Sequence, residues 1–310
     1  MKDRVSFSAW IIFLFLALVW GSSFILIKRG LDSFSPQQVA AMRIIVAAMV
    51  LLPFVLRVSN KRISRQEGIA ILMNGIFGNA IPAFLFPLAE THINSASAGV
   101  LNTLSPLFVL TLGVLFFGLA VTHIQIIGIV VGFGGATMLV LFGAEEVNMA
   151  QHIFYAFMLV LATIGYGLST NIMKRYLNHT SPILATGYGL LAVSIPYSVY
   201  ILFLDIPKVF ETDPLAWQSF TYVVILGAVG TALALVLFYR LVQLTEPIFS
   251  SSVTYVIPIV ALLWGLLDGE TFSFLQLMGI FVILIGVYLS TRLKPRKSSF
   301  KPVPGEKLKV

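Results

Sequence analysis

The sequence lacks cysteine entirely, and charged residues make up only 11% of its 310 residues. The absence of cysteine excludes disulfides, thiol catalysis and metal sites built on thiolates. The scarcity of charge, with 58% hydrophobic residues and a mean hydropathy of +0.95, excludes an ordinary soluble domain. Gly-x-Ser-x-Gly, His-Glu-x-x-His and Gly-Lys-Ser/Thr motifs are also missing. We therefore expect a membrane protein that is not an enzyme and needs neither a cofactor nor a metal.

Long apolar runs are what the sequence has in place of charge. A hydrocarbon core about 30 Å thick needs roughly 20 apolar residues per helical crossing. Strand-like alternation is absent, so the runs are predicted to be helices. No small-x-small cleavage site follows the first run, which is expected to be a retained helix. The ten predicted spans are residues 9–27, 39–56, 69–88, 96–117, 124–141, 153–173, 183–204, 220–239, 248–267 and 274–289.

The basic residues predict the orientation of these spans. If the N-terminus is inside, 16 Lys and Arg residues fall on the inner side and three on the outer side. This bias follows the positive-inside rule and predicts that both termini are cytoplasmic. The basic tail, residues 294–310, is expected to lie on an anionic lipid leaflet, so the net charge of +7 does not require nucleic acid.

The chain also contains an internal repeat. At a separation of 152 residues Gly75 matches Gly227 and Pro106 matches Pro258, and at 146 residues Gly21 matches Gly167. Each half has five predicted spans, so the second copy is expected to be inverted relative to the first, as in many secondary transporters. The sequence thus predicts a first repeat over residues 1–148 and an inverted second repeat over residues 149–293.

Several segments resemble the EamA family of the drug/metabolite transporter superfamily. They are Trp20 to Phe24, Arg43, Ser95 to Gly99 leading to Pro106, and Pro258 to Glu270. The resemblance implies ten helices in two EamA domains, a location in a bacterial inner membrane, and export of amino acids, other metabolites or toxic compounds. One departure concerns the family's Gly-Glu pair after helix four. Gly269-Glu270 matches it in the second half, whereas Phe117-Gly118 stands there in the first.

Polar and aromatic residues near the middle of the spans are the candidate substrate-binding residues. Each could instead only bond a neighbouring helix, a contact worth about 0.6 kcal/mol. They lie in predicted helices one, three, four, six, eight and nine, and the set is Trp20, Ser23, Asn79, Asn102, Ser105, Tyr166, Thr231, Thr254 and Tyr255.

Three charged residues and two prolines are further candidates. Arg43 is either a functional charge or an anchor that reaches the outer interface. Glu90 and Glu270 lie at helix ends, where either could couple transport to protons or serve a structural role. Pro106 and Pro258 are candidate hinges, although prolines are also tolerated as simple kinks in membrane helices.

The sequence therefore favours a secondary transporter, and more specifically an exporter. A membrane channel or a permease subunit is an alternative, and a membrane-embedded enzyme is a weaker one. The expected substrate is a small metabolite, such as an amino acid or a drug-like amphipathic compound. The expected partners are this substrate and the lipid bilayer, a monomer is compatible with the sequence, and the direction and energy source of transport stay open.

Overall fold

The fold is all-helical throughout the part of the chain that a computed structural model describes, residues 6–58, 63–119, 121–142, 149–245 and 253–291. The predicted tail, residues 294–310, lies outside these ranges. Eight helices are long and apolar enough to cross a membrane, and two shorter apolar helices follow. The eight are α1 (Phe7–Leu31), α2 (Pro36–Val58), α3 (Arg65–Glu90), α4 (Ser95–Phe117), α5 (His123–Leu141), α6 (Met149–Tyr176), α7 (Pro182–Phe203) and α8 (Ala216–Leu241). The two shorter ones are α9 (Val253–Leu267) and α10 (Phe274–Thr291). The prediction of an all-helical, multi-pass membrane protein is confirmed.

Local sequence signals explain where several helices begin. Ser64 caps α3, and Glu67 bonds back to the Ser64 amide to complete a capping box. Thr122 and Gln125 form the same arrangement at the start of α5. Asn94 accepts from the Ser97 amide at the start of α4. These side chains satisfy backbone amides that have no partner within the helix.

Three helices contain irregular turns in their interior, and α7 ends in a 3₁₀ turn at Ile201–Phe203. α3 is π-helical at Ile76–Ala80, and α8 is π-helical at Leu226–Leu233. These stretches lie at matching positions of the sequence repeat, 152 residues apart. α4 tightens to a 3₁₀ turn at Asn102–Leu104, just before Pro106. Because π-turns occur frequently at functional sites, they point to the region between α3 and α8.

Small residues let several helices approach closely. In α5, a side chain at Gly128 or Gly135 would meet the backbone of α10 at Gly286 or Gly279. In α1, Gly21 lies against α9 at Val260, while Gly167 in α6 lies against α4 at Phe108. Such contacts are how membrane helices associate without a hydrophobic driving force between them. The glycine-rich segment 132–135 thus serves helix packing, at least at Gly132 and Gly135, which both contact neighbouring helices.

Candidate functional site

A central cavity of about 170 Å³ lies between seven helices, α1 to α4, α6, α8 and α9. Its wall is mainly apolar and aromatic, with a limited number of polar groups, as is typical of small-molecule sites. The lining residues are Trp20, Ser23, Phe24, Ile27, Arg43, Ile44, Asn74, Gly78, Asn79, Ala83, Phe86, Asn102, Ser105, Tyr166, Ser169, Thr170, Met173, Gly230, Thr231, Leu235, Phe238, Tyr239, Thr254 and Ile257.

The structure brings together eight of the nine residues that the sequence suggested for substrate binding. They are Trp20, Ser23, Asn79, Asn102, Ser105, Tyr166, Thr231 and Thr254. Tyr255 is not among the lining residues, and its hydroxyl donates to the Val287 carbonyl of α10, 2.8 Å away. Tyr255 is turned about 100° around the helix axis from Thr254, and its hydroxyl is directed toward α10. Substrate binding stays a prediction for all nine residues, and Tyr255 is the one that does not lie in the described cavity wall.

Four polar residues of the cavity wall, Asn74, Ser169, Thr170 and Tyr239, were missing from the sequence-based set. Asn74 donates to the Tyr239 hydroxyl at 2.9 Å and accepts from the Ser169 hydroxyl at 2.5 Å. These bonds join α3, α6 and α8. Ser169 could have been found, because it matches Ser23 in the repeat. Asn74 and Tyr239 had no such signal, since the repeat places Leu226 and Pro87 at their matching positions.

Most of the cavity wall consists of residues related by the repeat. Twenty of the 24 lining residues form ten pairs separated by 146 or 152 residues. The pairs include Trp20 with Tyr166, and Asn102 with Thr254. The four without a matching partner in the wall are Arg43, Ile44, Asn74 and Tyr239. The wall is therefore largely duplicated, and its exceptions make its polarity unequal on the two sides.

Two aromatic pairs flank the cavity in corresponding places. The Trp20 and Phe238 rings lie 5.1 Å apart, and the Phe86 and Tyr166 rings lie 6.1 Å apart. The Trp20 indole also donates to the Gly230 carbonyl at 3.2 Å, within the π-helical stretch of α8. Rings held in this way offer flat apolar surfaces to a bound molecule and fix the crossing of α1 and α8.

Arg43 is buried within α2 and lines the cavity. Its Nε donates to the Thr231 hydroxyl at 2.9 Å, and that hydroxyl donates to the Leu226 carbonyl at 3.0 Å. The hydroxyl proton is thus committed to Leu226, which leaves an oxygen lone pair for Arg43. The guanidinium therefore bonds α8 at the cavity wall, and the role of Arg43 as a functional charge or as an anchor stays a prediction.

Two buried groups near the cavity lack hydrogen-bond partners among the described residues. They are both carboxyl oxygens of Glu90 and the Oδ1 atom of Asn102. Glu90 ends α3 one turn beyond Phe86, which lines the cavity, whereas Asn102 lines it directly. An unpaired buried acceptor costs about 1–3 kcal/mol, so Asn102 presents an acceptor that a donor on a bound molecule could satisfy.

Ion pairs join the C-terminal end of α1 to the α9–α10 connection. Lys28 lies 2.6 Å from Asp268 and 2.9 Å from Glu270, and Arg29 also pairs with Asp268. We call Lys28, Arg29, Asp268 and Glu270 the outer cluster, because the charge bias of the sequence predicts that this end of α1 faces outward. Lys28 directly follows Ile27 of the cavity wall, so the cluster adjoins one end of the cavity.

Glu270 also binds the start of α4. Its carboxylate accepts from the Ser95 hydroxyl at 2.8 Å and from the Ser95 and Ala96 amides at 3.0 and 3.1 Å. A carboxylate is favoured at the N-terminus of a helix, where it interacts with the positive end of the helix dipole. Burial raises the pKa of Glu270, but hydrogen bonds from Lys28, Ser95 and Ala96 outweigh burial and hold that pKa below its usual value. The stabilisation therefore persists at neutral pH and is lost only as the pH falls through the lowered pKa.

The first half has a leucine in the place that Glu270 occupies in the second. A side chain added at Gly265 would meet the Glu270 carboxylate, and one added at the matching Gly113 would meet Leu119. Gly118 and Gly269 both have positive φ, at 69° and 82°, and end their helices in the same way. The structural match is therefore Gly118-Leu119, one residue later than the sequence comparison suggested. The acidic residue is still absent from the first half.

Pro106 and Pro258 lie at corresponding points of α4 and α9. Both are buried. Pro106 lies two residues before Phe108, which contacts Gly167 of α6, and Pro258 lies two residues before Val260, which contacts Gly21 of α1. Pro106 follows the 3₁₀ turn of α4, whereas Pro258 lies inside a continuous helix. Their predicted role as hinges stays a prediction.

Comparison with known proteins relates this architecture to a transporter family. The model of the EamA-like transporter family matches residues 8–141 and 153–292, which is most of the chain in two copies. The chain belongs to the EamA-like transporter family. It is accordingly a membrane transporter rather than an enzyme.

Named relatives of this EamA-like protein cover nearly its whole length. It is 27% identical to the uncharacterized inner membrane transporter YedA of Escherichia coli, over 93% of each chain. It is 25% identical to a probable terminal-alkyne amino-acid exporter of Streptantibioticus cattleyicolor, over 98% of this chain and all of that one. A solved crystal structure, 16% identical, superposes with a TM-score of 0.63 over 94% of this chain and 99% of that one, which supports the fold alone.

Proposed function

We propose that this EamA-like protein is a secondary transporter that exports a small metabolite by alternating access. The observation that carries the proposal is the central cavity, enclosed by helices from both halves of the chain and lined by repeat-related residues. In secondary transporters with inverted repeats, the substrate binds near the middle of the membrane between the repeats. Since one chain supplies the whole cavity wall, we propose the monomer as the transporting unit.

Pairs of matching contacts support ten spans in two inverted repeats, over residues 1–148 and 149–293. The contact of Gly21 with Val260 corresponds to that of Gly167 with Phe108. Between α5 and α10, Gly128 contacts Gly286 and Gly135 contacts Gly279. The repeat matches Gly128 with Gly279 and Gly135 with Gly286, so the two contacts are equivalent, as expected across a twofold axis. α9 and α10 are shorter than the other helices, and we propose that both cross the membrane.

An inner-membrane location with cytoplasmic termini is part of the proposal. The charge bias of the sequence supports it, and so does the relative from Escherichia coli.

Single introduced cysteines test this orientation. The chain has no native cysteine, so any labelling by a thiol reagent shows which side of the membrane the introduced cysteine faces. His179→Cys, in the exposed α6–α7 turn, should react with a membrane-impermeant maleimide only from the cytoplasm. Glu211→Cys, in the exposed α7–α8 segment, should react only from outside, and the reverse pattern would refute this orientation.

Cavity size and one relative support the proposed substrate and direction. A volume of about 170 Å³ is below the roughly 300–1,000 Å³ of drug-sized sites, so it favours a molecule of amino-acid size over a larger amphipathic compound. The relative from Streptantibioticus cattleyicolor carries the name of an amino-acid exporter, which supports export of such a compound.

Asn102 provides the direct test of the cavity as the transport site. Asn102→Ala removes a buried acceptor that has no partner in the described part of the chain, so the melting temperature should not fall. Transport should fall by roughly tenfold if the substrate donates to this oxygen. The assay is counterflow of amino acids, nucleosides and organic cations into vesicles that contain only the purified protein.

Thr137→Ala is the matched control for this test. Thr137 is an exposed residue of α5 whose hydroxyl bonds only within its own helix. Its replacement should leave counterflow unchanged. Equal loss of transport and melting temperature in Asn102→Ala would support a packing role instead. Single-channel currents without counterflow would favour a channel over a carrier.

A further inference from the structure

Arg43 breaks the twofold pattern of the cavity wall. Its matching residue in the second half is Gly189. Gly189 contacts Gly75, and in the equivalent contact the Arg43 backbone lies against Gly227, the residue that the repeat matches with Gly75. The packing of these two helix pairs is therefore duplicated, but the guanidinium is not. The repeated architecture does not require a cation at this position, so the charge needs another explanation.

The guanidinium is buried and has no ionic partner in the described part of the chain. Arg43 is 9% exposed, and no described carboxylate lies within 4.0 Å of its nitrogen atoms. Of the described residues that line the cavity, Arg43 alone carries a charge. A buried charge without a counter-ion is costly in a membrane, and the cost falls when an anion binds it.

The other ionisable groups that act on Arg43 are Glu90, Tyr166 and Tyr197. Glu90 forms no hydrogen bond with it, because both Glu90 oxygens lack a partner among the described residues. The Tyr197 hydroxyl donates to the Ala80 carbonyl. Among the described residues the guanidinium therefore has one fixed bond, from Nε to Thr231, which orients its plane.

We infer that Arg43 binds the carboxylate of the transported molecule, and that this molecule is a zwitterion of amino-acid size with an apolar or aromatic side chain. The inference rests on the proposed transport function. A guanidinium matches a carboxylate with two parallel hydrogen bonds. A single cation suits one negative charge better than a phosphate dianion. The unpaired Oδ1 of Asn102 is an acceptor for the ammonium group, and the aromatic pairs accommodate the side chain.

The test compares probes that differ in the carboxylate. Purified full-length protein is titrated with L-phenylalanine, L-leucine and L-phenylalaninamide, and tryptophan fluorescence reports binding because Trp20 lines the cavity. The wild type should bind L-phenylalanine at least about tenfold more tightly than its amide, and Arg43→Gln should abolish this preference. Arg57→Gln removes a positive charge from the exposed inner end of the same helix and should keep the preference.

Glu90→Gln separates substrate recognition from simple charge balance. If Arg43 binds the carboxylate, Glu90→Gln should keep the preference for L-phenylalanine over its amide, because Glu90 forms no hydrogen bond with Arg43. If Arg43 only balances Glu90, both variants should lower the melting temperature and leave the preference for the acid unchanged, which would overturn the inference.

Two further outcomes would also overturn it. One is equal binding of acid and amide by the wild type, and the other is no binding of either amino acid. Counterflow of uridine or tetraethylammonium without binding of amino acids would remove the carboxylate site but leave the transport function standing. Absence of counterflow for every probe would contradict the transport function itself.

Discussion

Gly135→Val should prevent stable folding, while the same change at the neighbouring Gly134 should be tolerated. A Cβ atom at Gly135 would lie 2.5 Å from the Ile283 amide nitrogen and 2.8 Å from the Gly279 carbonyl oxygen. Both are backbone atoms of α10, so the helices must separate to accept the side chain. A cost at the upper end of overpacking, about 3 kcal/mol, is expected, and more if the interface opens along its length. The measurement is the yield of monodisperse protein and its melting temperature.

Gly134 is the matched control because a Cβ atom there has nothing within 4 Å. It belongs to the same helix and the same glycine-rich segment but is exposed. Equal yields of the two variants would mean that α5 and α10 do not depend on close contact. Loss of both would mean that the segment needs glycine for a reason other than packing.

The sequence predicted the elements of the fold because membrane helices have a strong local signal. Uninterrupted apolar length marks each span, and the repeat is visible through its glycines and prolines. Ser23 and Asn79 were recognised as site candidates because polar side chains in spans are unusual. What the sequence could not supply was helix rotation, which separates Thr254 from Tyr255.

Irregular helical turns were the second feature of the structure that the sequence did not predict. The π-helical stretches of α3 and α8 shift the faces of these helices, and no residue pattern in them announces it. They place Thr231 next to Arg43, a contact between residues 188 positions apart. The depth of Arg43 could not be judged from helical rise alone, since a long side chain can extend either outward or into the protein.

The unequal distribution of charge between the two ends of the cavity bears on the transport cycle. The outer cluster holds α1 to the α9–α10 connection, and Glu270 extends this link to α4. At the corresponding place of the first half, Leu119 replaces the acid, although Lys174 and Arg175 match Lys28 and Arg29. If the two halves exchange conformations during transport, the ion pairs of the outer cluster stabilise closure of the outer end of the cavity. The other end has no equivalent acidic residue to stabilise its closure.

Glu270→Gln should therefore increase access to the cavity from outside. The change removes the negative charge that Lys28 and the start of α4 bind, while side-chain size is kept. Hydrogen bonds to charged groups are worth about 1.5–3 kcal/mol, so the outward-open population should rise by roughly tenfold or more. Ser23→Cys provides the reporter, because Ser23 lines the cavity and the chain has no other cysteine. The measurement is its rate of reaction with a membrane-impermeant thiol reagent added outside sealed cells.

Glu211→Gln is the control, since it removes an exposed acidic group from the α7–α8 segment, outside the outer cluster. It should leave the labelling rate unchanged. A faster rate in Glu270→Gln together with a nearly unchanged melting temperature would identify the outer cluster as a gate, because a shift between two folded states alters access more than stability. A lower melting temperature with an unchanged labelling rate would instead make the cluster a permanent tie between helices, and alternating access would then require a different opening at this end.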